Sequence, residues 1–167
     1  MSGAYRSIGI NRNDFMSLIQ MRPEGGTAYG TLEWVAYASN AFNTMVPFYA
    51  DVDETPEYLA NTTGEVSTGN FYWTSRMIAA MADASYGKSL FHVEHYQENV
   101  LAKSHALINQ YDALLADEKD PEKQMELKRK ANRKVAEMVQ KEASATLKKV
   151  LYELSNQMKN SYARSDV

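Results

Sequence analysis

Hydrophobic and polar positions follow two different periods along the chain, and the change falls near residue 52. Before that point, short runs rich in β-forming residues are separated by polar turns that contain Gly or Pro, which is typical of strands. The pattern predicts four strands, over residues 7–10, 15–21, 30–38 and 44–50. Because the connections are short, we expect neighbouring strands to be antiparallel.

Two local signals refine this first half. Pro47 lies inside the fourth run and has no N–H to donate, so that strand is expected at a sheet edge or at a bulge. The segment Gly25-Gly26-Thr27 is predicted to be a flexible turn between strands. It does not match a phosphate-binding loop, because no lysine follows its last glycine.

After residue 52 the apolar positions recur at steps of three and four, which indicates helices. A brief helix is predicted to begin at Thr55-Pro56-Glu57 and to end near Asn61, with threonine as its cap and proline in its first turn. Three longer helices are predicted over residues 71–86, with Gly87 as the stop, over residues 91–116, and over residues 120–162.

The beginning of the last helix is heavily charged between Lys123 and Lys134. Such a segment has little to bury, so we expect a solvated helix that projects from the body of the protein. The alternative is an arm that contacts another subunit, which would make a homo-oligomer through the C-terminal helices.

Together these elements predict one α+β unit over residues 1–167, with strands in 1–52 and helices in 53–167. Four short strands form a small sheet. If the helices cover one face of it, the other face is exposed or needs a partner sheet. This is a physical indication that the chain is part of a larger structure.

Composition excludes several classes of function. The 167 residues are 44% hydrophobic and 23% charged, which is ordinary for a globular protein, and the net charge of -3 argues against a nucleic-acid surface. No apolar run is long enough to span a membrane, and the first residues lack the apolar core of a signal peptide, so a cytoplasmic location is expected. The chain has no cysteine, which excludes a thiolate nucleophile or ligand within it.

Histidines are the first candidates for chemistry. His92 and His95 flank Glu94 and can share a helix face, with His105 further along the same side. Their spacing differs from the His-Glu-x-x-His pattern of zinc peptidases, so ordinary surface or interface histidines are the favoured interpretation. A Ser-His-Asp triad stays open because triads form in space, although the sequence has no Gly-x-Ser-x-Gly motif.

Two further positions have a functional and a plain interpretation. Asn61-Thr62-Thr63 matches the glycosylation sequon, but without a secretory signal it is better explained as a turn. Arg6 lies beside a predicted strand, where a fixed guanidinium can bind a carboxylate or an oxyanion, or it is simply a surface arginine.

Several longer segments of the sequence are not generic strand or helix patterns. They are Glu33-Trp34-Val35-Ala36-Tyr37-Ala38-Ser39, Val46-Pro47-Phe48-Tyr49, Thr55-Pro56, Asn61-Thr62-Thr63, and Asn70-Phe71-Tyr72-Trp73-Thr74-Ser75-Arg76 with its continuation to Tyr96-Gln97. These segments resemble the C-terminal half of the C69-type dipeptidases. The resemblance covers residues 5–160 and is strongest between 30 and 96.

The resemblance implies an N-terminal-nucleophile hydrolase, whose αββα fold stacks two antiparallel sheets between helical layers. This chain would supply late strands of that sandwich and the long C-terminal helices. In such enzymes an N-terminal cysteine attacks the peptide carbonyl of a dipeptide, its own α-amino group acts as the base, and nearby donors stabilise the oxyanion. The implied mechanism requires no metal or other cofactor.

The chain departs from the family pattern because it has no cysteine and begins with Met1-Ser2. No catalytic residue is therefore assigned in this chain, which is expected to be inactive alone. The resemblance offers Arg6 as a substrate-binding residue, and the loop with Asn40 and Asn43 as a segment that approaches the substrate. Ser2 as a replacement nucleophile is a minor alternative. A second alternative is a non-catalytic helical scaffold or oligomerisation module.

Overall fold

The computed structural model describes residues 13–158 and has an α+β architecture. Its strands and helices are β1 (Phe15–Met21), α1 (Gly26–Tyr29), β2 (Thr31–Tyr37), β3 (Val46–Tyr49), α2 (Glu57–Ala60), α3 (Phe71–Ala84), α4 (Tyr86–Asp117) and α5 (Pro121–Ser155). The predicted strand over residues 7–10, Arg6 and Ser2 lie outside the described residues.

The strands form one antiparallel sheet in the order β1-β2-β3, so β2 is central. Seven consecutive residue pairs join β1 to β2 without interruption, from Phe15 opposite Tyr37 to Met21 opposite Thr31. β3 is shorter than the predicted strand, and Pro47 within it lies opposite Trp34. The prediction that Pro47 belongs to an edge strand is confirmed for the described sheet.

The connection between β1 and β2 is helical, so the prediction of a flexible turn there is wrong. A single 3-10 turn at Pro23–Gly25 leads directly into α1, and the N–H of Arg22 donates to the carbonyl of Gly30 at 2.6 Å. Proline favours the first turn of a helix. Gly25 is required for packing, because a Cβ there would lie 2.6 Å from the ring of Tyr29.

The boundary between the second and third predicted helices is also displaced. The break lies at Ser85, not at Gly87, and α4 begins at Tyr86, five residues before the predicted start. The N–H of Ser85 donates to the carbonyl of Ala82, and its hydroxyl donates to that of Met81. The carbonyl of Ser85 already accepts from Lys88 and Ser89. One serine therefore ends α3 and begins α4, and Gly87 is accommodated in the first turn.

The charged beginning of α5 packs against the body of the protein, so the prediction of a projecting helix is wrong. The side chain of Lys128 is 4% exposed and its ammonium lies 2.5 Å from Asp51. It also donates to the carbonyl of Thr27 at 3.1 Å. Acidic residues after β3 neutralise these cations, which allows Lys128 to be buried. α5 ends at Ser155, seven residues before the predicted end.

One turn further along α5, Asn132 closes the outer edge of β3. Its side-chain carbonyl accepts the N–H of Tyr49 at 2.8 Å, and its side-chain amide donates to the carbonyl of Tyr49 at 3.0 Å. At Tyr49, the side-chain amide of Asn132 thus makes the two hydrogen bonds that a neighbouring strand would make. Asn132 is only 2% exposed, so both backbone groups of Tyr49 are satisfied in a dry environment.

The core of the described residues has two parts, which lie on opposite faces of the sheet. The larger part joins β2 and β3 to α3, α4 and α5, and includes Val35, Val46, Phe48, Phe71, Ile78, Val93, Tyr96, Val100, Val135 and Val139. The smaller part joins Leu32 and Tyr49 to Ile108, Tyr111 and Leu115 of α4. β3 is buried on both faces as a result, whereas β1 receives little cover.

β1 exposes apolar side chains on both faces. Phe15 and Ile19 on one face are 53% and 56% exposed, and Leu18 on the other face is 52% exposed. The expected division into one covered and one exposed face is not observed, because helices pack on both faces at β3 and the exposed apolar residues lie on both faces of β1. Among residues 13–158, no helix is both long and apolar enough to cross a bilayer.

We predict that Asn132→Ala lowers the free energy of unfolding by about 2–4 kcal/mol, because two buried backbone groups of Tyr49 lose their partners. Urea-induced unfolding followed by circular dichroism measures this loss. The matched control is Asn109→Ala in α4, which is exposed and expected to change stability little. Equal effects of the two substitutions would contradict the role assigned to Asn132.

Candidate functional site

The loop between β2 and β3, residues 38–45, begins with an unusual backbone conformation. Ala38 has a φ of 66°, the left-handed region that residues with a Cβ rarely adopt. Its N–H donates to the carbonyl of Asp14 at 2.9 Å, which places the start of β1 beside the loop. Strained backbone of this kind concentrates at functional sites, which makes the loop a candidate functional segment.

Side-chain amides hold the loop in place. Asn43 is 6% exposed, and its amide donates to the carbonyl of Ala38 at 3.0 Å. The amide of Gln97, from α4, donates to the carbonyl of Asn43 at 2.7 Å. The side-chain amide of Asn43 therefore shapes the loop, and the expectation that Asn43 approaches a substrate stays a prediction.

A cavity of about 590 Å³ lies on one side of this loop. Arg76 of α3 reaches into it and forms an ion pair with Asp14, while Asp83 supplies a second carboxylate. The guanidinium also lies 5.8 Å from the ring centre of Tyr72. The cavity therefore presents both a fixed cation and carboxylates to a small polar molecule.

An apolar groove of about 530 Å³ lies against the same loop, between the sheet and α4. Met16, Leu18 and Trp34 line it from the sheet, and Leu101 lines it from α4. Asn40 and Gln97 contribute amide groups to its wall. Asn40, the other asparagine expected near a substrate, thus lies beside an apolar surface.

A second polar cluster joins the end of β1 to the C-terminal part of α4. The guanidinium of Arg22 binds Asp112 in a bidentate arrangement, at 2.5 and 3.1 Å, and also donates to the carbonyl of Tyr29. The hydroxyl of Tyr49 donates to Asp112 at 2.8 Å. The side chains of Arg22 and Asp112 are 11% and 18% exposed, so the pair is largely desolvated.

Burial, followed by the hydrogen bond and the charge of Asp112, raises the pKa of Tyr49 far above its ordinary value. The phenol therefore stays neutral and acts as a donor throughout the physiological range. This cluster has the properties of a structural contact that fixes β1 and β3 to α4. It contains no nucleophile.

His92 and His95 are neighbours, because the ring centre of each lies 5.8 Å from that of Phe91, but the three histidines differ in their other partners. His92 faces Glu153 of α5 at 3.4 Å, His95 stacks on the ring of Phe91, and His105 lies 5.5 Å from Trp34, measured between ring centres. Within residues 13–158, no three histidine or carboxylate side chains are arranged to hold a metal ion. The favoured interpretation of ordinary surface or interface histidines agrees with these surroundings.

The sequon asparagine also has a local role. Asn61 follows the last residue of α2, and its side-chain amide donates to the carbonyl of Gly69 at 3.2 Å. The indole of Trp73 donates to the carbonyl of Thr63 at 2.8 Å. Asn61-Thr62-Thr63 are irregular backbone, and the bend and turn that follow α2 lie at residues 64–65 and 68–69, so the predicted turn is displaced along the chain.

Sequence reasoning did not find Arg22, Asp112 or Arg76 as site residues. Arg22 and Asp112 are ninety positions apart, so no motif joins them. One available signal was that Asp112 interrupts the apolar positions of α4 between Ile108 and Leu115. Arg76 is the last residue of the segment Asn70–Arg76 that resembles the family, but its position in the sequence alone indicates no partner.

Comparison with known proteins supplies the family. The model of peptidase family C69 matches residues 2–99, which is more than half of the chain. The chain belongs to peptidase family C69. The match includes all three strands, the loop 38–45 and the cavity with Arg76, and ends within α4.

Curated relatives extend the similarity through α5. A protein of Streptococcus pyogenes serotype M18 named "Probable dipeptidase A" is 41% identical over 97% of this chain, which covers 33% of the relative. A "Dipeptidase" of Bifidobacterium longum is 34% identical over 97% of the chain and 37% of the relative. "Probable dipeptidase B" of Lactococcus lactis is 32% identical over 65% of the chain and 23% of the relative.

The chain thus spans about a third of the length of the curated relatives that it matches over nearly its whole length. Family membership is established for the part of the relatives that this chain matches. Most of each relative has no counterpart among the 167 residues.

We predict that the protein loses stability as the pH rises above about 10. The pKa of buried Tyr49 and that of buried Tyr96 are raised in the folded state. Below the pKa of an unfolded tyrosine, both side chains are neutral in both states and their contribution to stability is complete. Above that pKa, ionisation in the unfolded state lowers the free energy of unfolding by about 1.4 kcal/mol per pH unit for each tyrosine. Tyr49→Phe should flatten this alkaline slope in urea unfolding measured between pH 9 and 11.

The control for this experiment is Tyr152→Phe, because Tyr152 is 64% exposed and meets similar solvent in the folded and unfolded states. It should leave the slope unchanged. Tyr49→Phe should also cost about 1–2 kcal/mol at pH 7, because Asp112 loses a hydrogen-bond donor. An unaltered alkaline slope in Tyr49→Phe would show that the phenol is not held neutral by its surroundings.

Proposed function

We propose that this chain is the C-terminal part of a dipeptidase that hydrolyses dipeptides through an N-terminal cysteine nucleophile supplied outside the chain. The observation that carries the proposal is the 41% identity to a protein named probable dipeptidase, over 97% of this chain and only 33% of the relative. The absence of any cysteine from the 167 residues agrees with a nucleophile located elsewhere.

The reaction follows from the family's chemistry. The free α-amino group of the N-terminal cysteine takes the thiol proton as the sulfur attacks the peptide carbonyl. The same proton passes to the leaving amine, and a thioester to the first amino acid remains. Water then attacks the thioester and releases that amino acid together with the thiol. No metal or other cofactor takes part.

This chain contributes substrate contacts and scaffold in the proposed enzyme. A dipeptide carries an ammonium group and a carboxylate a short distance apart, and the cavity beside loop 38–45 presents Arg76 together with Asp14 and Asp83. Charge-assisted hydrogen bonds to both ends of the substrate would fix its register. We also propose Arg6 as a substrate-binding residue, on the basis of the family resemblance alone.

The test is a fused polypeptide in which the part of the Streptococcus pyogenes relative outside its match is followed by these 167 residues. We expect metal-independent hydrolysis of dipeptides by the fused protein and none by the 167-residue chain alone. Chromatographic detection of the released amino acids, in buffer with a chelator, measures the rate.

Replacement of the N-terminal cysteine by alanine in the fused protein is the control and should abolish hydrolysis. Activity in the isolated chain would contradict the proposal and would direct attention to Ser2. A folded fused protein with no activity would favour the non-catalytic scaffold.

Arg76 gives a second prediction within the fused protein. Arg76→Gln should raise the KM for dipeptides about tenfold or more, because a charge-assisted contact contributes about 1.5–3 kcal/mol. Arg76→Lys keeps the charge without the bidentate geometry, so its KM should lie between those of the parent protein and Arg76→Gln. An unchanged KM in Arg76→Gln would remove the cavity from the substrate-binding site.

A further inference from the structure

The uncovered face of β1 is the largest unexplained feature of the described structure. Phe15, Ile19 and Met21 project from the same face of the sheet and are 53%, 56% and 79% exposed. We call these three residues the β1 face. The helices pack against the same side of the sheet at β3, where Val46 and Phe48 are buried, and no residue of β1 belongs to that core cluster.

The β1 face differs from an ordinary solvent-exposed edge strand. Exposed edges are usually protected by lysine, proline or a bulge, and β1 has none of these over its seven paired residues. Its opposite face exposes Leu18 as well. Apolar side chains on both faces are typical of a strand inside a layered structure.

A carboxylate lies within this apolar surface. Glu33 is the register partner of Ile19 on β2, and it accepts a hydrogen bond from the hydroxyl of Ser17 at 2.6 Å. Its charge also contributes to the raised pKa of Tyr37, after burial. Any layer placed over Ile19 would remove Glu33 from water, and a buried carboxylate needs a cationic or strongly hydrogen-bonding partner.

We infer that the β1 face is an interface for the part of the dipeptidase polypeptide outside these 167 residues, and that the covering layer places a basic side chain against Glu33. This inference rests on the proposed function. The length of the relatives supports it, since two thirds of the Streptococcus pyogenes protein lies outside the match and must pack somewhere.

A second copy of the chain fits this surface less well. A two-fold pairing centred on the β1 face would bring two Glu33 side chains into one apolar layer. Two like charges without a cation between them would repel each other in a medium of low dielectric constant.

The test uses the absence of cysteine in the chain. Ile19→Cys is labelled with a maleimide in the 167-residue chain and in the fused protein described above, and peptide mapping by mass spectrometry measures the labelling rate. We expect at least a tenfold slower reaction in the fused protein. Leu151→Cys on α5, whose parent residue is 48% exposed, is the matched control and should react equally in both.

An equal labelling rate of Ile19→Cys in the two proteins would overturn the inference. Slow labelling in the isolated chain, together with a dimer in sedimentation analysis, would show that a second copy occupies the face and would also overturn it. If the fused protein proves unstable, the two parts are mixed, and Met21→Lys should weaken their association at least tenfold while Leu151→Lys does not. A Met21→Lys chain that associates like the parent would overturn the inference.

Glu33→Gln tests the charge of the covering layer. If a basic side chain faces Glu33, this substitution should lower the thermal midpoint of the fused protein and leave the midpoint of the isolated chain unchanged. A higher midpoint in the fused protein would mean that the covering layer has no cation there, and would overturn that part of the inference.

The two proposals fail in different ways. Protection of Ile19→Cys without dipeptide hydrolysis would support the interface and contradict the proposed catalysis. Hydrolysis with Ile19→Cys fully reactive would support the catalysis and contradict the interface.

Discussion

The packing of α5 against the described sheet depends on the pair of hydrogen bonds between the side chain of Asn132 and the backbone of Tyr49. They give α5 a fixed register against β3. Lys128, Arg129 and Arg133 then meet Asp51, Asp53 and Glu54, the acidic residues that follow the strand. Because this edge of the sheet is closed, β1 provides the open edge of the described sheet.

Local chemistry explains why most elements were predictable. β1 was predicted with its observed bounds, and α3 begins at the predicted residue 71, where the side chain of Asn70 accepts the N–H of Trp73. The error about the start of α5 came from an interaction between distant residues. A sequence window around Lys128 shows excess charge, whereas its neutralising partner lies seventy-seven positions earlier.

The candidate site was less predictable than the fold for the same reason. The sequence drew attention to His92 and His95, whose spacing is regular, while the observed polar clusters join Arg22 to Asp112 and Arg76 to Asp14 across long separations. The loop with Asn40 and Asn43 was identified from family resemblance. The residue with positive φ in this loop is Ala38, and an alanine does not indicate a left-handed backbone conformation as a glycine would.

The contact between Asn132 and Tyr49 also constrains the order of folding. During synthesis, β3 emerges more than eighty residues before the side chain that completes its hydrogen bonding. Contacts of such long sequence separation form slowly, because a large loop must close before they contribute any stability. The strands and α3 are therefore expected to wait, incompletely packed, until α5 has been made. In a cell, this interval is when the chain most needs protection from premature association.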